Sequence, residues 1–341
     1  MLLSSAVRAE GILSANEQII NFFILHSADG SGRQALNFPP AQSPGRWWQA
    51  KTTHHNNMTG LEVCKTVLNS FRPFLQKGSI SEATAKWLHQ NIDQAIPFFS
   101  SPIFEMKFPP LQRVTINKNL FGNNERINEV KYLKYPPADK VLKFGRANLI
   151  GQSVFYCTTN PITALNEMKP QLGDLITTSI WKPKDDERFL KISPVFKITS
   201  LNGVSHNELS LKFKIGYQNS LRQHPKDLAD QIDELLQFIA DCFAKDVDYD
   251  NKYDYALSAF YANKILYEFE GGTIEALVYP SVADKLDFSN LAIKPTILDH
   301  HFELYEVTEG TLVEIPRTSG GYSIEGSGWS RKFEDGKIIW K

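Results

Sequence analysis

Residues 145–170 read GRANLIGQSVFYCTTNPITALNEMKP and carry three local structures in one run. Arg146 follows Gly145 and precedes Ala147-Asn148, a turn-like setting. Ser153 to Tyr156 is short and apolar-rich, which predicts a strand entering a core. Asn160-Pro161 marks a helix start, because Asn accepts from the first free N–H groups and Pro suits the first helical position. The helix is expected from Pro161 to Lys169, with Pro170 as its stop. Thr163 and Glu167 share one helix face, while Ile162 and Leu165 turn toward the core. Glu167 is then displayed over the strand end, near the arginine loop.

A second run, residues 271–295, reads GGTIEALVYPSVADKLDFSNLAIKP. Gly271-Gly272 breaks a helix, Thr273 to Tyr279 alternates like a strand, and Pro280-Ser281 ends it. A serine just past a strand end, in a loop fixed by proline, can present its hydroxyl to a ligand.

Working outward, Gly11 to Leu25 has helical apolar spacing, and Ser27 to Gly45 reads as a Gly/Ser/Pro loop. Leu61, Cys64, Val67, Leu68 and Phe71 predict a helix, and Ser79-Ile80-Ser81-Glu82 has the form of a capping box opening another, to about Ile96. Pro97, Pro102, Pro109 and Pro110 read as a linker with a boundary near Phe108. Beyond it, strands are expected at Leu111–Asn117, Leu175–Trp181, Leu190–Ser200 (interrupted at Pro194), Phe302–Val307 and Leu312–Ile315. Pro225 opens a long amphipathic helix whose buried stripe is Leu228, Ile232, Leu235, Leu236 and Ile239. Tyr253, Leu257, Phe260, Ile265 and Leu266 suggest a second helix packed on the first. Lys332 to Trp340, centred on Asp335-Gly336, reads as a closing hairpin. Strands and helices mix without regular βαβ alternation, so the class is α+β. The division is 1–108 helical, 109–310 the main domain, and 311–341 a strand and hairpin tail.

Length and composition bound the function. The 341 residues suggest about two domains at roughly 150 residues each. With 42% hydrophobic residues the core needs no disulfide or metal staple. The 37 basic and 38 acidic residues nearly balance, which gives no basic excess for direct nucleic-acid binding. Cys64, Cys157 and Cys242 form no CxxC pair and suit a reducing, cytoplasmic setting. No secretory signal and no run of about 18 apolar residues is read, so no membrane partner is expected. His54-His55 and His300-His301 are adjacent pairs, and neighbours on a strand point apart, so no metal is expected. The glycines at 320–321, 326 and 328 form no dinucleotide fingerprint. Cys157 reads as a packed thiol, and Trp47-Trp48 as packing.

Taken in order, GR-x-N-x-x-G (from Gly145), FY (Phe155-Tyr156), TAL-x-E (Thr163 to Glu167), YPS (Tyr279 to Ser281) and N-x-A-I-K-P (from Asn290) resemble the RES family, named for its arginine, glutamate and serine. The resemblance covers roughly Leu111 to Leu304. It implies an ADP-ribosyltransferase-like mixed sheet with flanking helices, the N-terminal helical region being an addition to a minimal member. It also implies NAD as substrate, cleaved at the nicotinamide–ribose bond by water or phosphate, and a toxin paired with an antitoxin protein. Protein ADP-ribosylation is the alternative chemistry, and a non-catalytic nucleotide-binding or interaction module is the alternative class. The resemblance gives Arg146 a hold on pyrophosphate or incoming phosphate, Tyr156 a stack on nicotinamide or its ribose, Glu167 the balance of charge at ribose C1, and Ser281 the orientation of ribose or carboxamide. Arg113 and Asn290 are further substrate-binding candidates. Taken singly, each of these residues has an ordinary reading: a surface arginine, a core tyrosine, a solvated glutamate, a loop serine.

Overall fold

The computed structural model describes residues 26–27, 59–95, 98–99, 101–197, 208–286, 288–315 and 321–341. The readings at 11–25, 27–45, Trp47-Trp48 and His54-His55 fall mostly or wholly outside these residues. In chain order the elements begin with β1 (His26–Ser27), α1 (Gly60–Phe71), α2 (Glu82–Ala95), β2 (Phe98–Phe99), β3 (Phe104–Met106), β4 (Leu111–Ile116) and α3 (Lys118–Phe121). Next come β5 (Phe155–Thr158), α4 (Pro161–Met168), β6 (Leu175–Pro183), β7 (Leu190–Pro194), α5 (Glu208–Leu221), α6 (Lys226–Ala244) and α7 (Ala256–Asn263). The chain closes with β8 (Ala276–Pro280), β9 (Ser289–Ile293), α8 (Pro295–His301), β10 (Phe302–Glu314), β11 (Ser323–Ser330), β12 (Phe333–Glu334) and β13 (Lys337–Ile338).

The protein is α+β, built on a mixed sheet of nine strands in the order β11-β10-β6-β4-β5-β9-β8-β7-β3. Among the described residues only β7 and β8 pair in parallel within it. β5, β9 and β8 lie side by side, with Thr158 opposite Asn290 and Asn290 opposite Tyr279. This register brings the ends of β5 and β8 and the start of β9 to one end of the sheet. Core lies on both sheet faces: Phe155, Cys157 and Trp181 are buried on one, and Tyr279 packs on Phe243 of α6 on the other. On this second face, at β4, β6 and β10, α4 covers the sheet through Ala164 and Leu165 on Val114, Ile176 and Leu312.

Local chemistry explains most boundaries. Asn160 accepts from the N–H groups of Ile162 and Thr163, so α4 starts where the Asn-Pro pair predicts. It ends at Met168, where Lys169 takes a left-handed backbone at φ 50°. Ile162 is exposed at 49% rather than turned inward, leaving Ala164 and Leu165 to dock the helix. Gly271 and Gly272, both at positive φ, break the chain before β8 as the doublet predicts. The closing hairpin turns at Asp335-Gly336.

Several expectations are corrected. The capping box belongs to α1, where Thr59 and Glu62 bond reciprocally at 3.3 and 2.8 Å. Ser79 bonds the carbonyls of Phe74 and Gln76, and Ser81 caps α2 by accepting from Thr84 N–H. The proline-marked linker contains β3, which pairs with β7 at the sheet edge; its prolines flank the strand, where a missing N–H does no harm. Ser101 is buried there and bonds Ser193 and Tyr261. The two late strands are one, β10, because the polar break at Glu309 is neutralised by Arg126 at 2.8 Å. His300 and His301 sit in the last turn of α8, not on a strand. The helix α5 and the strand β11 had no clear pattern in the sequence. Among the described residues, no helix is long and apolar enough to cross a membrane.

Residues 60–95 are not a separately packed unit. Cys64, Leu68, Phe71, Ile80 and Leu88 join one continuous core with Ile232, Leu235 and Phe238 of α6 and Phe260 of α7. Phe71 packs edge-on to Phe238 at 6.4 Å. A chain starting at Pro109 would uncover this face of α6, and is expected to be insoluble or to lack a cooperative thermal transition by circular dichroism. Leu68→Ala or Leu88→Ala should lower the stability of the whole protein by about 2–5 kcal/mol in urea unfolding. A folded, equally stable chain from Pro109 would place the helices outside the core.

Candidate functional site

Strand alternation decides which side chains can meet. Side chains of directly paired residues lie on one face, and those two apart along a strand share it. Thr158, Asn290 and Tyr279 are thus neighbours on one face, and Tyr156, two residues before Thr158, joins them. The chain leaves this face at Thr158, turns at Asn160 and enters α4, which returns Glu167 over the same strands.

Glu167 is the centre of the arrangement. Its Oε1 accepts from the Ser281 hydroxyl at 2.5 Å and from the Asn290 amide at 2.6 Å. Both donors are buried, Ser281 completely and Asn290 at 8% exposure. Among the described residues no donor reaches Oε2, and Glu167 itself is half-buried. Ser281 also accepts from Asp284 N–H at 3.2 Å, so its hydroxyl is committed to the protein as donor and acceptor alike. It positions Glu167 instead of offering a free hydroxyl. The loop after it is held further by Asn166, whose amide donates to Asp284 while its carbonyl accepts from the Tyr322 hydroxyl at 2.6 Å.

Arg146 sits in a seat of main-chain oxygens. One terminal nitrogen donates to the carbonyls of Phe243 and Lys245, and the guanidinium carbon lies 4.8 Å from the centre of the Tyr255 ring. Carbonyl acceptors and an aromatic face hold the cation without cancelling its charge. Burial pushes the Tyr255 phenol up to about 12, with the Arg146 cation opposing and Glu167 adding to the rise. Burial also drives Tyr279 well above its usual range, and it feels Tyr156, Glu167 and Arg146 together. Two tyrosines therefore lie within electrostatic reach of both Arg146 and Glu167, which are opposite in charge.

Tyr156 is a pin. Its hydroxyl donates to Asn148 Oδ1 at 2.7 Å and accepts from Ala147 N–H at 2.8 Å, fixing the loop just after Arg146. Burial raises its phenol far above the ordinary value. Gly145 is required by close approach: a Cβ there would lie 2.1 Å from Asn148 Oδ1 and 2.6 Å from the Tyr156 hydroxyl.

Arg113 is not gathered with the others. Gln112 faces Thr158, so Arg113 alternates to the opposite face, where its guanidinium carbon lies 5.6 Å from the Phe155 ring centre. It donates to the Tyr156 carbonyl at 2.9 Å, and burial lowers its proton affinity. It supports β5 from behind. Cys157 shares this interior, is 6% exposed, and burial raises its thiol far above the range in which it would be a nucleophile. All three cysteines are free and buried.

The site residues missed in the sequence are Tyr255, Asn148, Asn166 and Asp284. Asn148 and Asn166 lie inside the quoted motifs and could have been read as partners of their neighbours. Tyr255 comes from a distant helix entrance and carries no local signal.

No family model, no curated protein and no solved structure matches the chain.

Tyr156→Phe leaves Ala147 N–H and Asn148 Oδ1 without their partner, and should lower stability by about 1–3 kcal/mol in urea unfolding. Gly145→Ala should cost a similar amount, about 1–3 kcal/mol, through overpacking of the same contact. A stability unchanged in both proteins would show that the pin does not hold the loop.

Proposed function

We propose that the protein consumes NAD, cleaving its nicotinamide–ribose bond, and that its sheet is of the ADP-ribosyltransferase-like kind implied by the resemblance to the RES family. The observation that carries this reading is the hold on Glu167. Two donors fix one carboxylate oxygen, the other oxygen takes no described donor, and a seated arginine lies in the same electrostatic neighbourhood. A fixed negative charge and a fixed positive one, both acting on Tyr255 and Tyr279, suit a substrate with an anionic pyrophosphate and a centre that becomes positive during reaction.

In this reading Arg146 takes a phosphate oxygen of NAD with the N–H groups not used by Phe243 and Lys245. The C1–N bond breaks with both electrons leaving on nicotinamide, which departs neutral. Positive charge then develops on the ribose ring, opposite Glu167. Because Glu167 is already held, little reorganisation is needed as that charge appears. Water or inorganic phosphate adds through oxygen to C1, and the proton released passes to solvent. The Tyr156 ring would contact the nicotinamide end while its hydroxyl keeps the Arg146 loop in place. An antitoxin protein is the partner proposed for such an activity in a cell.

The test is incubation of the purified protein with NAD, with and without phosphate, and identification of products by mass spectrometry. Free nicotinamide is expected, with ADP-ribose or its 1-phosphate. Label transferred to protein instead would identify ADP-ribosylation, and intact NAD would end the proposal. Glu167→Gln should slow turnover roughly 10²–10³-fold, the usual loss of a preorganised charge, while the thermal transition stays in place. Arg146→Lys keeps charge but loses the planar fork. It should raise KM for NAD if Arg146 grips pyrophosphate, and slow turnover at low phosphate if it places the attacking anion. Wild-type kinetics in either folded protein would remove that residue from its role.

A further inference from the structure

We propose that residues 74–80, in the N-terminal helical region, form part of the seat of Arg146, and that the buried Lys245–Asp254 pair is the positioning element that joins them. The proposal rests on the reading of Arg146 as the group that grips the phosphates of NAD.

The Lys245 and Asp254 side chains are 2% and 0% exposed and meet at 2.5 Å. Lys245 Nζ also donates to the Phe74 carbonyl at 3.0 Å and the Asp254 carbonyl at 3.1 Å, so all three of its protons are placed. The second Asp254 oxygen accepts from Gly78 N–H and Asp248 N–H, each at 2.9 Å. Asn251 donates to the Ile80 carbonyl at 2.9 Å. The turn from Lys245 to Asp254 is thereby locked to residues 74–80 by three side chains, Lys245, Asp254 and Asn251, and three main-chain groups.

The same turn holds Arg146. The Lys245 carbonyl accepts from the guanidinium at 3.3 Å, and Tyr255, next to Asp254, supplies the ring beneath it. Phe144 N–H donates to the Lys252 carbonyl at 3.2 Å, two residues before Arg146. Carbonyls in an irregular turn point wherever the turn is fixed, and here the lock on residues 74–80 fixes it. A buried ion pair is a poor means of adding stability, since an apolar replacement of equal volume is often neutral or better. Its effect here is orientation: it aims the Lys245 carbonyl at the cation, beside the Phe243 carbonyl at the end of α6. The N-terminal region thus completes the anion-binding group without contributing a catalytic residue.

The experiment compares wild type with Asp254→Asn, with the paired Lys245→Met/Asp254→Asn, and with Val307→Ala, a core change in β10 used as a control for general destabilisation. Two readouts are taken: kcat and KM for NAD, and the rate of phenylglyoxal labelling of Arg146 by mass spectrometry. In both turn variants KM should rise about tenfold, equivalent to about 1.4 kcal/mol, with kcat little changed. Arg146 should label several-fold faster than in wild type, whereas Val307→Ala should alter only the melting temperature. Unchanged labelling and KM in the turn variants overturn the proposal, as does an equal rise in Val307→Ala. If neither turn variant folds, hydrogen exchange on wild type decides. Coupling is reciprocal, so NAD must slow exchange at the amides of Gly78 and Asp248, and no slowing overturns the proposal. If wild type neither binds nor consumes NAD, the NAD reading falls. Labelling still decides whether residues 74–80 seat Arg146.

Discussion

The hold of Ser281 and Asn290 on one oxygen of Glu167 depends on the register of three strands. Asn290 meets Glu167 because it lies opposite both Thr158 and Tyr279, with the start of α4 at the end of one neighbour and Ser281 at the end of the other. A slip of β9 by one residue would send Asn290 to the opposite face and leave Ser281, among the described residues, as the remaining donor to a half-buried carboxylate. That would cost a hydrogen bond to a charged group and part of its desolvation. Leu277 and Val278 of β8 and Leu291 and Ile293 of β9 are all buried, so the strands that carry the site are packed on both faces. Packing of the sheet and geometry of the site share this pairing.

The cation is held differently. Among the described residues Arg146 meets carbonyl oxygens and a ring, not a carboxylate, so its charge is placed but not neutralised by them. The network from Tyr156 through Asn148 to Ala147 fixes its loop from one side, and the turn from Lys245 to Asp254 from the other. These two supports come from chain segments about a hundred residues apart, and the second leans on helices nearer the N-terminus. Continuity of the core across α1, α2, α6 and α7 is what makes that support possible.

The reach of the sequence varied with the range of the interaction. Asn160-Pro161, Gly271-Gly272 and Asp335-Gly336 each act on their own backbone, so they placed a helix start, a chain break and a hairpin within a residue or two. The Ser-x-x-Glu pattern at residues 79–82 misled, because the same pattern at Thr59–Glu62 forms the true box and only the surrounding chain selects between them. The polar residues inside β10 looked like an interruption because the neutralising partner, Arg126, lies far off in sequence.

Sequence alone determined the α+β class and the positions of β4, α4 and α6, since these follow from local propensity and periodicity, while the grouping of Arg146, Tyr156, Glu167 and Ser281 as chemically notable rested on the resemblance that their short motifs carry when taken in order. Tertiary structure alone decided their roles. It turned Ser281 from a presented hydroxyl into a donor to Glu167, made the Tyr156 hydroxyl a pin, joined Asn290 to the carboxylate, and removed Arg113 to the other face. The physical reason is common to all four. A side chain's function depends on which hydrogen-bond partners and which sheet face the long-range pairing assigns to it, and a strand with a period of two reverses that assignment with a shift of one residue.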